Sequence, residues 1–178
     1  MDLNAALTQK QEEIVALWIE RTLDSYAAPG FFKQSKDPFA NPVGSTISSG
    51  LRQLFELVRT GAENDMFVRP LDQVIRIRAV QEFTAAQAVA PFLELKWIVR
   101  QVFSGDKATL PLASAMDELD LVIERMALLA FDIYSQCREQ LYRNRIRELK
   151  SGNYILTDGG CPSARFRQTA EETASRKQ

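Results

Sequence analysis

Between Leu71 and Leu95 the chain places Arg76 and Arg78 among aliphatic residues and follows them with Gln81, Thr84 and Gln87. A guanidinium beside amides and a hydroxyl can hold an anionic or polar ligand, or it can be an internal tie between helices. At about 100° per residue, Leu71, Val74, Ile75 and Arg78 share one arc, and Arg76 points nearly the opposite way with Val80 and Phe83. Arg78 therefore sits on the apolar face. Stripping a guanidinium of water without replacing its partners costs several kcal/mol, so Arg78 is expected to be buried and paired. Glu20, Asp24 and Glu94 are the candidate internal partners. In the alternative reading Arg78, Gln81, Thr84 and Gln87 form a ligand-binding set, with Arg76 outside it.

Other chemistry is sparse. The chain has no histidine, which excludes Ser-His and Cys-His catalysis, histidine metal sites and haem on a proximal histidine. It contains no glycine-rich phosphate loop and no GxSxG elbow. Asp117, Glu118 and Asp120 read as the first turns of a long helix, where negative charge suits the helix dipole, rather than as a metal site. Cys137 in an apolar helix and Cys161 in a Gly/Pro loop make no metal-ligand spacing. No catalytic residue, metal site or cofactor is assigned, and the protein is expected not to be an enzyme.

The elements that must position these residues are helical. The first helix is expected from about residue 3 to 27, stopped by Pro29–Gly30. A proline-rich loop follows, held to the core by Phe31, Phe32 and Phe39. The second helix is expected over Gly44 to Thr60, with Ile47, Leu51, Leu54, Phe55 and Val58 on one stripe and Gly61 at its end. A third helix is expected to open with Pro70 in its first turn and to reach Glu82. Thr84 and Gln87 have the spacing of a capping box for a fourth, which carries Pro91 inside it and ends near Ser104–Gly105.

The last helix is expected from Pro111 to Lys150. Leu112, Met116, Leu119, Ile123, Met126, Ala130, Ile133 and Cys137 alternate by four and three, a coiled-coil period. Leu121, Leu128, Phe131 and Tyr134 form a second stripe. The wide apolar surface fits either a central helix of a monomeric bundle or a two-fold dimer using Leu119, Ile123, Met126, Ala130, Ile133 and Cys137, the arrangement we favour. Two regions result: an all-α domain over residues 1–150 and a flexible polar tail over 151–178.

Balanced charge, 22 basic against 23 acidic residues, argues against nucleic acid as a partner. The N-terminus lacks the order of a signal peptide and no stretch has the length of a membrane span, so the expected location is cytoplasmic without membrane insertion.

The segments "LWIERTLDSY", "KDPFANPVGSTISSGLRQLFELV" and "PLDQVIRIRAVQEFTAAQAVAPFLELKWIV" closely resemble the N-terminal sensory domain of RsbRD-type proteins, the RsbT co-antagonists of the bacterial stressosome. The resemblance spans roughly residues 5 to 145. It implies a globin-like, non-haem helical bundle with a long C-terminal helix, dimeric and serving as an input module. In full-length relatives the last helix leads to a STAS domain that engages partner kinases; no alternating strands follow Lys150 here. The reading reached is a non-catalytic signalling module of the stress response, a homodimer that receives a small ligand or a protein signal. A cytoplasmic accessory or adaptor subunit docking on a respiratory redox complex is the second reading, and a cryptic enzyme the third.

Overall fold

The computed structural model describes residues 2–34, 40–81, 83–114 and 116–151. The expected tail, Cys161 and Phe39 lie outside these residues. Among the described residues every regular element is a helix: α1 (Leu3–Gln9), α2 (Gln11–Asp24), α3 (Pro29–Gln34), α4 (Pro42–Thr60), α5 (Asn64–Val80), α6 (Ala85–Ser104), a 3₁₀ turn (Leu110–Leu112) and α7 (Asp117–Ser151). The all-α expectation is borne out. Residues up to Glu139 form one compact unit, and a second unit begins at Gln140.

Several boundaries depart from expectation. The first helix breaks at Lys10, whose ammonium pairs with Asp106 at 2.9 Å, and ends at Asp24 rather than near residue 27. Pro29 does more than stop a helix: its fixed φ also suits a first helical position, and α3 begins on it. Phe32 packs on Tyr26, while Phe31 is exposed. The α5 helix starts at Asn64, a turn and a half before Pro70. Proline is tolerated there because the carbonyl it leaves without an intrahelical donor, that of Met66, belongs to an exposed residue. Pro111 lies in the 3₁₀ turn, and α7 begins only at Asp117.

The α4 helix shows how local chemistry sets geometry. The Asn41 side chain accepts from the Gly44 N–H at 2.9 Å and so caps it, and Gly61 closes it in the left-handed region, φ 62°. Its stripe, Ile47, Leu51, Leu54, Phe55 and Val58, is buried as expected. Between them Gly50 lets α5 approach: a Cβ there would lie 2.5 Å from the Val74 Cγ2. Among the described residues α4 and α5 make the most extensive helix pairing, and it places Val74 and, one turn beyond it, Arg78.

α7 runs alongside α6 in the opposite direction. Arg100 donates to both carboxylate oxygens of Asp120, at 2.9 and 2.6 Å, and Lys96 to Glu124 at 2.8 Å. The Arg100 guanidinium holds the Asp120 carboxyl below the usual carboxylate range, against the opposing effect of burial.

Two predictions follow from this packing. Gly50→Ala should lose about 2 kcal/mol in urea denaturation despite alanine's better helix propensity, since the new methyl would lie 2.5 Å from Val74, a buried β-branched side chain with few rotamers to retreat into. The double variant Gly50→Ala, Val74→Ala should recover most of it. For the α6–α7 clasp, a depressed Asp120 pKa means stability that is present above the unfolded carboxylate pKa and disappears as pH falls through the lower folded value. Asp120→Asn should therefore cost about 1 kcal/mol at neutral pH, and the wild type and variant should converge in acid.

Candidate functional site

The junction between α5 and α6 is short and tightly built. After Val80 the backbone turns extended at Gln81, and Thr84 starts α6 with the expected capping box: the Gln87 N–H donates to the Thr84 hydroxyl at 3.2 Å and the Thr84 N–H to the Gln87 side-chain oxygen at 3.0 Å. Thr84 is thus occupied by the cap. One turn further, Pro91 has no N–H to give to the carbonyl of Gln87, four residues earlier. An unpaired buried carbonyl is costly, and the donor that meets it comes from α5. Arg78 Nη2 donates to the Gln87 carbonyl at 2.8 Å and to the Ser25 hydroxyl at 3.0 Å. Ser25 in turn donates to the Thr22 carbonyl at 2.6 Å.

Arg78 is fully buried, as expected, and Arg76 is exposed on the opposite side, paired with Asp72 at 2.6 Å. The expected carboxylate partners are not used: Arg78 bonds to Ser25 and Gln87, while Glu94 takes Arg21 at 3.0 Å. The guanidinium is instead flanked by rings, 4.2 Å from the Phe83 centroid and 5.1 Å from that of Tyr26. Burial pulls the Arg78 pKa below its ordinary value and pushes the Tyr26 hydroxyl up, and each partly offsets the shift in the other.

Four buried polar atoms around this point lack a hydrogen-bond partner: Arg78 Nε and Nη1, the Tyr26 hydroxyl and Gln81 Oε1. Buried polar groups are paired in most native structures, so such a cluster calls for an explanation. It adjoins a cavity of about 640 Å³ lined by Ser25, Tyr26, Ala27, Ala28, Phe32, Gln81, Phe83 and Gln87. Of the residues singled out from the sequence, Gln81 and Gln87 line this cavity. Arg78 stands directly behind its wall, since both its hydrogen-bond partners and both its flanking rings are lining residues. Ser25, Tyr26, Phe32 and Phe83 were missed. The one hint was the aromatic run around the Pro29–Gly30 break.

The cavity wall is tied to α7. The Tyr134 hydroxyl donates to the carbonyl of Phe83, and Arg138 Nη1 donates to that of Ala79 at 3.1 Å. The four-three stripe of α7 is occupied inside the chain. Leu119, Ile123, Met126, Ala130 and Ile133 are buried in its own core and Cys137 is half-buried against it. This corrects its assignment as a dimer seam, because five of its six side chains are already buried within their own chain and leave almost no surface for a second subunit. Of the other stripe Tyr134 is buried, whereas Leu121 is 47%, Leu128 68% and Phe131 48% exposed. Of the acidic triple, Asp120 is spent on Arg100 and Lys96, and Asp117 and Glu118 are exposed.

Fold and site together describe an all-α domain in which one long helix is tied to the rim of an aromatic-walled cavity backed by a buried arginine. The family model of the RsbT co-antagonist protein rsbRD N-terminal domain matches residues 12–149, and the chain belongs to that family, which points to a signalling or sensor role of the stressosome type. No curated protein and no solved structure matches the chain.

The two arginines should separate in denaturant titration. Arg78→Ala strands the Gln87 carbonyl and opens a hole between rings, and should cost about 3 kcal/mol. Arg76→Ala removes one exposed helix-surface pair and should cost no more than about 0.5 kcal/mol.

Proposed function

We propose that the protein is a non-catalytic signalling module, working in the cytoplasm as a homodimer, in which the cavity beside Arg78 receives the input and α7 carries it onward to a protein partner. The observation that carries this reading is the hydrogen bond from Tyr134 to the Phe83 carbonyl. Phe83 lines the cavity and covers the guanidinium with its ring, while its backbone is held by α7. A displacement of the ring by an occupant thus acts on the same residue that anchors the long helix, and the Arg138–Ala79 bond makes a second tie one turn away. Coupling of this kind needs an element with two arrangements, and the short α5–α6 turn, with few backbone bonds of its own, is the natural one.

The reading includes a globin-like arrangement that works without haem, supported by the absence of any histidine ligand. For the homodimer we take the exposed stripe Leu121, Leu128 and Phe131 as the contact, since a two-fold axis brings one such stripe against its own copy. Balanced charge supports the absence of a nucleic-acid partner. Among the described residues no helix is long and apolar enough to cross a membrane.

Hydrogen exchange tests the input-to-output route without any ligand. Phe83→Leu reshapes the cavity wall and should alter exchange in α7 from Tyr134 onward; in a Tyr134→Phe background the same change should stay confined to residues 25–32 and 81–87. Effects confined to the wall in both backgrounds would remove the basis for the route. Separately, the wild type should sediment as a dimer at micromolar concentration and Leu128→Glu as a folded monomer. A monomeric wild type would overturn the dimeric part of the reading.

A further inference from the structure

We infer that the cavity is built for a small aromatic monocarboxylate that carries one hydrogen-bond donor. The inference rests on the reading of the cavity as the input site and names the chemistry of its occupant. Three features select that chemistry.

The first is charge. Arg78 is a fully buried cation whose bonds go to a hydroxyl and a carbonyl, and among the described residues lining the cavity none is charged. Arginine stays protonated even when burial disfavours it, so Arg78 puts one positive charge behind the described wall, with no carboxylate bonded to it and Glu94 acting on it only at a distance. A single carboxylate matches it; a phosphate or sulfate dianion would bring a second charge with no cation to meet it.

The second is the set of open hydrogen-bonding atoms. Nη2 already serves two acceptors, whereas Nη1, Nε and the Tyr26 hydroxyl make no bond of good geometry, the guanidinium and the phenol only acting on each other electrostatically. A carboxylate entering from the cavity can accept from Nη1 and from the Tyr26 hydroxyl, both of which are donors. Gln81 Oε1 is an acceptor only, so it calls for an N–H or O–H elsewhere on the same molecule.

The third is the wall. Tyr26, Phe32 and Phe83 present rings to the cavity, with centroids 5.2 Å apart for Tyr26–Phe32 and 5.1 Å apart for Tyr26–Phe83. Edge-to-face and offset contacts at such spacings favour a flat ring as the body of the ligand. The volume, about 640 Å³, lies within the usual range for small-molecule sites. Because the Phe83 ring covers the guanidinium, the carboxylate reaches Arg78 only when that ring swings aside. Binding and displacement of the residue tied to α7 are then one event.

The test is isothermal titration calorimetry of the full chain with 4-hydroxybenzoate as the probe, its neutral analogue 4-hydroxybenzyl alcohol, and benzoate, which lacks the donor. 4-Hydroxybenzoate should bind at one site per chain, with the alcohol weaker by about tenfold or more and benzoate weaker by about fivefold. Arg78→Lys should abolish binding. Because that variant risks losing the fold, Tyr26→Phe and Gln81→Leu serve beside it, each expected to weaken 4-hydroxybenzoate by about five- to tenfold with an unchanged melting temperature. Equal binding of acid and alcohol, or full affinity in both of those variants, overturns the monocarboxylate. Absence of binding by all three probes overturns it too. The sensory reading is decided apart from this, by the ligand-free exchange response to Phe83→Leu.

Discussion

Much of this domain depends on one missing hydrogen bond. Pro91 sits inside α6 and leaves the Gln87 carbonyl without its intrahelical donor. Arg78 supplies the replacement from α5 at 2.8 Å. The carbonyl of Pro91 itself accepts the Trp18 indole N–H from α2 at 2.7 Å, in a fully buried position. The proline thus frees the Gln87 carbonyl for Arg78, its own carbonyl takes the bond from Trp18, and α2, α5 and α6 are tied to one another around it. The buried charge of Arg78 follows from the same arrangement. An apolar residue could fill the space, but only a long donor can reach across to a helix that has lost its own.

The same constraint positions the site. Holding Arg78 by one nitrogen leaves its other donors unmet, and the turn between α5 and α6 brings Gln81 and Phe83 to it while the end of α2 brings Ser25 and Tyr26. Unsatisfied buried groups lower stability, and proteins keep them where they serve an occupant or a change of state. Membership of the RsbT co-antagonist N-terminal domain family places this cost in a domain of the sensor class. The hydrogen bond from Tyr134 to the Phe83 carbonyl joins the cavity wall to the long helix.

Much of the fold was legible because amphipathic period and capping chemistry are local. The capping box at Thr84–Gln87, the stripe of α4 and the closing Gly61 all appear where their residues put them. The breaks were less legible. Lys10 is a good helix former, and its interruption is tied to Asp106, ninety-odd positions along the chain. Pro70 looked like a helix start because its tolerance inside α5 depends on an exposed carbonyl, which only the three-dimensional structure reveals. Periodicity likewise showed that α7 has a broad apolar surface without showing what covers it: Leu119, Ile123, Met126, Ala130 and Ile133 are covered by the chain itself, and Leu121, Leu128 and Phe131 remain open. Burial of Arg78 could be read from its arc. Its partner could have been found too, by asking which carbonyl Pro91 orphans, whereas the ring of Tyr26 and the hydroxyl of Ser25 come from over fifty residues away and carry no local signal.

The most direct measurement is a double-mutant cycle between Arg78 and Pro91. Pro91→Ala restores an N–H for the Gln87 carbonyl, so the donor that Arg78 supplies becomes redundant. In urea denaturation, Arg78→Met should be less costly in the Pro91→Ala background than in the wild type by at least about 1 kcal/mol. Strictly additive effects would show that the arginine and the proline do not share that carbonyl energetically, and would contradict the account at its base.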